Sequence, residues 1–261
     1  MRSTWVLLGL VVSASVLLAA EPGAPDAAPA EPPKPYVEPA TGIVFPGRLG
    51  VLARGDVRKY ENAALGVSMA YNCAEPARVA VTMYVYDFGQ KDIGTGVEAK
   101  VVKRHFGEVQ NDLHAMEERG RYKLVKKLSE ETVSVQVGEG PLALLHAVFE
   151  YTHVPAPGSD APEQSVKTHI LLTGFKDRFL KVRFTYPRAQ AEEGDKVFAA
   201  FLPLFGQMFS SAEAGTPSEP KPKESPSEPK PPAGESEPTP SPSAQQTGRA
   251  AAGTFVTART S

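Results

Sequence analysis

The sequence predicts an α+β domain: an antiparallel β-sheet with a long helix and a C-terminal helix packed on it. Three stretches carry that reading. Residues 166–187, VKTHILLTGFKDRFLKVRFTYP, alternate apolar and charged side chains on either side of a tight turn at Phe175-Lys176-Asp177-Arg178, the pattern of a hairpin. Residues 95–119 place Val97, Val101, Val102, Phe106, Val109, Leu113 and Met116 at spacings of three and four, one stripe of a helix. Residues 190–209 place Val197, Phe198, Phe201, Leu204, Phe205 and Met208 on a second such face. A hairpin alone does not hold in water, so the helices and further strands must cover its apolar side.

In chain order, residues 42–46 read as a short opening strand, and 57–61 and 66–71 as two more, separated by Asn62 to Leu65. Residues 72–76 form a turn. Residues 78–87, RVAVTMYVYD, carry apolar bulk on both sides and belong in the middle of a sheet covered on both faces. Thr95-Gly96-Val97-Glu98 has the capping-box pattern, which starts the long helix there, and Gly120 ends it. Residues 121–137 give one or two strands, 141–154 another, and 155–164 a polar loop before the hairpin. Within the last helix Pro203 lacks an amide hydrogen and clashes one turn back, which predicts a kink or break near residues 199–202. The hairpin's Leu172, Leu180, Val182 and Phe184 side should meet the Phe-rich C-terminal helix, leaving Lys181 and Arg183, with His169, as the candidate interaction surface.

The ends have a different composition. Residues 1–20 hold Arg2, a short apolar run from Trp5 to Leu18 broken by Ser13 and Ser15, and Ala19-Ala20, the layout of a cleaved export signal. If it is retained, the same segment is a membrane tether; no cysteine follows it to carry a lipid. Residues 21–35 are a Pro/Ala-rich linker, and 212–261 a Pro/Ser/Glu/Lys-rich tail in which PSEPKP occurs at 217–222 and again at 226–231. Such tracts cannot offset their ordering entropy, so the tail is expected to be a disordered spacer. The globular domain is therefore 36–211, long enough for one core. The single cysteine, Cys73, allows no internal disulfide and reads as a small residue packed beside a strand.

The order of strands, helix, antiparallel strands and helix, with Tyr60-Glu61-Asn62 leading into Leu65-Gly66-Val67-Ser68-Met69-Ala70-Tyr71 and Phe179–Tyr186 followed by Phe198–Phe209, resembles the PsbP/Mog1-type domain. The resemblance covers most of 36–211 and implies a binding or assembly protein; it transfers no functional residue.

No chemical motif is complete. The net charge of −2 argues against a nucleic-acid partner. Ser68 sits in an alternating strand, without the strand-to-helix turn that a nucleophile elbow requires. If strand 142–153 pairs antiparallel with 166–175, Glu150 falls near His169 with His146 on the same face, a sensible metal set. His105, Glu108 and Asp112 share a helix face in the same way. Arg119, Arg121, Lys123, Lys126 and Lys127 are a basic cluster, best read as a charged sheet edge flanked by glutamates. Arg54-Gly55-Asp56 reads as a turn. The sequence calls for no cofactor, metal or catalytic residue. It favours an exported, non-enzymatic binding or assembly domain of the bacterial cell envelope, periplasmic or extracellular, with an unidentified protein or envelope partner. The alternatives are a hydrolase or metal-dependent enzyme using the strand histidines, and a membrane-tethered form.

Overall fold

The computed structural model describes residues 32–138 and 140–214, the last five by their backbone alone. The expected export signal, most of the expected linker and all but the first residues of the tail lie outside the described residues. Among the described residues ten strands and two α-helices form an α+β fold. A two-stranded ribbon, β1 (Tyr36–Val37) and β2 (Val44–Phe45), precedes an antiparallel sheet of eight strands. These are β3 (Arg48–Leu49), β4 (Leu52–Lys59), β5 (Val67–Cys73), β6 (Val79–Tyr86), β7 (Tyr122–Val137), β8 (Gly140–His153), β9 (Gln164–Phe175) and β10 (Arg178–Pro187), in the order β3-β4-β5-β6-β10-β9-β8-β7. Helix α1 (Lys100–Glu118) lies on one face and α2 (Ala191–Ala214) on the other.

Local chemistry accounts for the element ends. The β9–β10 turn has Lys176 and Asp177 at φ of 48° and 56°, the two positive angles of a type I′ hairpin. Gly120, at φ 68°, closes α1: its amide bonds Glu117 O and that of Arg121 bonds Met116 O. The start of α1 differs from the capping-box expectation. The cap is Ala99, without a side-chain bond. Thr95 instead accepts the amide of Lys176, Gly96 bridges to Gly174, and Glu98 pairs with Lys103. Pairing with the hairpin keeps these residues out of the helix. Helix α2 runs through Pro203 unbroken and on past residue 211. Pro203 and Ala199 both face water, which can bond the carbonyl that the proline leaves free, while Phe198, Phe201, Phe205 and Phe209 stay packed on the sheet.

Two cores sandwich the sheet. Under α2 lie Val67, Met69 and Tyr71 of β5, Val79, Val81, Met83 and Val85 of β6 and Leu180, Val182 and Phe184 of β10. Under α1 lie Tyr84, Tyr86, Phe149, Tyr151, Ile170, Leu172 and Phe179 with Val102, Phe106, Val109 and Leu113 of the helix. The expected burial of β6 on both faces holds. Leu180, Val182 and Phe184 do face the C-terminal helix, but Leu172 pairs with Lys181 and points to α1 instead.

Gly206 of α2 sits where a Cβ would come within 2.5 Å of Gln136 O on β7. A helical Gly→Ala change ordinarily gains about 1 kcal/mol. Here the helix must lift from the sheet, so Gly206→Ala is expected to lower stability by about 1–3 kcal/mol in urea unfolding.

Candidate functional site

The sheet carries one polar cluster on each face. Strand β10 supplies both, because its alternate residues point opposite ways. Phe184 is paired with His169, while Arg183 is paired with Ile170 and Lys181 with Leu172. The candidate surface His169, Lys181 and Arg183 is therefore divided: His169 lies on the α2 face, and Lys181 and Arg183 lie on the α1 face. Strand β10 is also central, so neither face is a simple solvated one. Lys181 and Arg183 are half-buried and His169 is buried.

On the α2 face a hydrogen-bonded relay crosses three strand boundaries. Glu131 Oε1 of β7 lies 3.2 Å from His146 Nδ1 of β8, His146 Nε2 lies 3.0 Å from His169 Nδ1 of β9, and His169 Nε2 lies 2.7 Å from the Tyr186 hydroxyl of β10. The Tyr186 hydroxyl donates in turn to Asp195 Oδ1 of α2, and Lys167 Nζ donates to Oδ1 and Oδ2 of the same carboxylate at 2.8 and 2.9 Å. Phe198, one turn beyond Asp195, stacks on His169 with ring centroids 3.9 Å apart. Gly194 leaves the helix close enough to lie on the Tyr186 ring.

The bonding fixes the tautomers. Since Tyr186 donates to Asp195, His169 must donate from Nε2 and accept at Nδ1, and His146 must donate from Nε2. Neutral His146 then turns a bare Nδ1 toward the Glu131 carboxylate. Four contacts need four protons, and two neutral imidazoles and a phenol supply three. The open proton position is His146 Nδ1. Burial lowers the pKa of both imidazoles; for His169 the charges of His146 and Lys167 add to it, and the value falls to about 3. Burial alone would raise Asp195, but the bonds from Lys167 and Tyr186 hold it below the ordinary carboxylate value.

The pairing expected between β8 and β9 is correct, and it brings His146 to His169. Glu150 is not brought with them: it stands opposite Lys167 and pairs with Arg188 at 3.3 Å. Among the described residues no three His, Cys, Asp or Glu side chains are grouped to hold a metal ion. Glu131, Tyr186, Lys167 and Asp195 were missed, because each comes from a separate element. Only the strand periodicity around Tyr186 and the helix turn beginning at Asp195 gave a signal.

On the α1 face, Lys181 Nζ stands 4.4 Å from the Tyr84 ring centroid and 5.6 Å from that of Tyr86. Arg183 Nη2 donates to the hydroxyls of Tyr122 (2.9 Å) and Tyr151, whose rings stack at 4.3 Å. Burial pushes the Lys181 pKa down to about 8, against the field of Asp112 and with that of Arg183. Register places Arg58, Ser68, Tyr84 and Lys181 in one row across β4, β5, β6 and β10, and Ala70, Thr82 and Arg183 in the next. Ala70, Ala80, Thr82 and Thr185 are half-buried and Asn72 is exposed, so this floor opens to solvent.

The remaining motifs are structural. Ser68 is inside β5, its hydroxyl 3.1 Å from that of Tyr60. Cys73 ends β5, half-buried and bonded to Ala77 O, with burial pushing its thiol pKa up. His105 bonds Tyr86 (2.7 Å) and Glu108 (3.0 Å), and Asp112 is not part of that contact. Arg54-Gly55-Asp56 is not a turn: it lies in β4 at a register shift, with Arg54 bonded to Phe45 O and Lys34 O. The basic cluster leads into β7, an outer strand of the sheet, where Lys123 pairs with Glu163 and Lys127 with Glu130. No protein-family model and no curated protein matches the chain.

Proposed function

We infer that the chain is an exported, non-enzymatic binding or assembly domain of the cell envelope, and that it binds through the open sheet floor beside α1. One observation carries this reading. Among the described residues Lys181 and Arg183 are half-buried cations without a carboxylate within 4.0 Å, at the margin of a solvent-open floor of small side chains. Burying charge with no carboxylate beside it is unfavourable, and this supports reading the pair as part of a binding surface. Export rests on the signal-like composition of residues 1–20. The α+β layout agrees with the binding and assembly roles implied by the PsbP/Mog1 resemblance. The enzyme alternative is weaker, because Glu150 is engaged by Arg188 and the His146–His169 pair is covered by Phe198.

The test blocks the floor without touching its charges. Full-length chain and the Ala70→Trp variant, with Asn72→Trp as a second block, are immobilised and exposed to envelope extract. Circular dichroism checks that each variant is folded. A partner held by the native chain and reduced at least about tenfold by both blocks is the expected result. Capture that survives both blocks, or that residues 212–261 reproduce alone, sinks the proposal.

A further inference from the structure

Arg58, Lys181 and Arg183 surround the floor formed by Ala70 and Thr82, and among the described residues none of the three has a carboxylate within 4.0 Å. The nearest acidic side is that of α1, whose Asp112 acts on Lys181 only through space. The Lys181 ammonium meets aromatic faces but no acceptor among the described residues. Arg183 uses Nη2 on two tyrosine hydroxyls, which fixes the guanidinium in place and leaves its Nε and Nη1 hydrogens without an acceptor among the described residues. Arg58 is exposed and lies over the Tyr60 ring at 5.0 Å.

Among the described residues neither half-buried cation has a carboxylate within 4.0 Å, so what the site lacks is a negatively charged partner in direct contact. The two half-buried cations carry two positive charges. A phosphomonoester brings about −1.5 to −2 and three acceptor oxygens, whereas a carboxylate brings one charge and two oxygens. The small side chains of Ala70 and Thr82 leave room above the floor, and the Thr82 and Tyr84 hydroxyls stand in the rows that carry the cations. We propose that this surface binds a phosphomonoester group between Lys181 and Arg183. The assignment rests on the binding reading of the same surface and adds the chemistry of its ligand.

The test is calorimetric titration of the full chain with inorganic phosphate at constant ionic strength. Acetate serves as the carboxylate control. Saturable phosphate binding is expected, weakened at least about tenfold by Lys181→Met, since a charge-assisted hydrogen bond is worth that much. Lys181→Met should fold at least as well as the native chain, because it replaces a desolvated ammonium by an apolar side chain, and Lys181→Arg should keep binding. Glycerol phosphate in solution and phosphatidic acid in vesicles, against phosphatidylcholine vesicles, separate a free phosphoester from a lipid headgroup. Binding of either that is lost in Lys181→Met supports the proposal. Equal phosphate affinity in the native chain and Lys181→Met, acetate binding as tight as phosphate, or binding of neither phosphoester overturns it. If Ala70→Trp abolishes partner capture while phosphate fails these criteria, the surface stands and the phosphate assignment falls.

Discussion

Phe205→Ala is expected to lower stability by about 3–5 kcal/mol, with a lower urea midpoint and an unchanged m-value. Phe205 is fully buried, and its ring lies 5.4 Å from that of Phe201 and 5.2 Å from that of Phe209. The phenylalanines of α2 continue across the sheet: Phe209 meets Phe175 of β9 at 4.8 Å, and Phe201 meets Phe184 of β10 at 5.4 Å. Removing the middle ring of α2 opens a cavity, and the close approach of Gly206 to Gln136 O restricts how far the helix can shift to fill it. Gln207→Ala, on the exposed side of the same turn, should stay within about 0.5 kcal/mol of the native chain. A loss below about 1 kcal/mol for Phe205→Ala would show that α2 is peripheral to the fold.

The sheet and both helices were legible because their signals are local. Alternation over 79–86 and 178–187 and the stripe over 100–118 depend on residues a few positions apart. The start of α1 was misread because the Thr95–Glu98 pattern is a local signal overruled by a distant one, the bridge between Gly96 and Gly174. Of the kink or break expected at Pro203, the break does not occur, for a similar reason: packing of the buried face of α2 outweighs one lost helical bond.

The polar sites were half legible. Antiparallel pairing of β8 with β9 was enough to bring His146 and His169 onto one face. Which carboxylates they meet depends on β7 register shifts between Lys123 and Lys126 and between Lys127 and Ser129, and on where Asp195 falls over Tyr186. Neither is encoded in a local period. Alternation set Lys181 and Arg183 on one face of β10 but could not show that Tyr84, Tyr86, Tyr122 and Tyr151 line it, since alternation gives the face and not what covers it.

Acidification is expected to remove about 3 kcal/mol of stability between pH 6.5 and pH 4 through His169 alone. The unfolded imidazole takes up its proton near 6.5, and the folded one only near 3, because it is buried beside His146 and Lys167. Between those limits the unfolded chain binds more protons. Stability is therefore complete above about 6.5 and falls as pH drops toward 3, by about 1.4 kcal/mol per unit. The relay geometry orders the events. His146 has the open position at Nδ1 and the Glu131 carboxylate to receive a proton there, so it titrates first. A proton on His169 must then enter at the nitrogen that already accepts from His146, which breaks the contact and places two cations side by side. The other groups facing the pair are Lys167 of β9, which opposes the proton, and Asp195 of α2, which favours it; Asp195 adds an acid-sensitive contribution of its own below the ordinary carboxylate value of 3.8. The double variant His146→Leu/His169→Leu removes both imidazoles and keeps the carboxylates. Its urea midpoint should change far less over this pH range than that of the native chain, and parallel curves for the two proteins would mean that the relay does not titrate with folding.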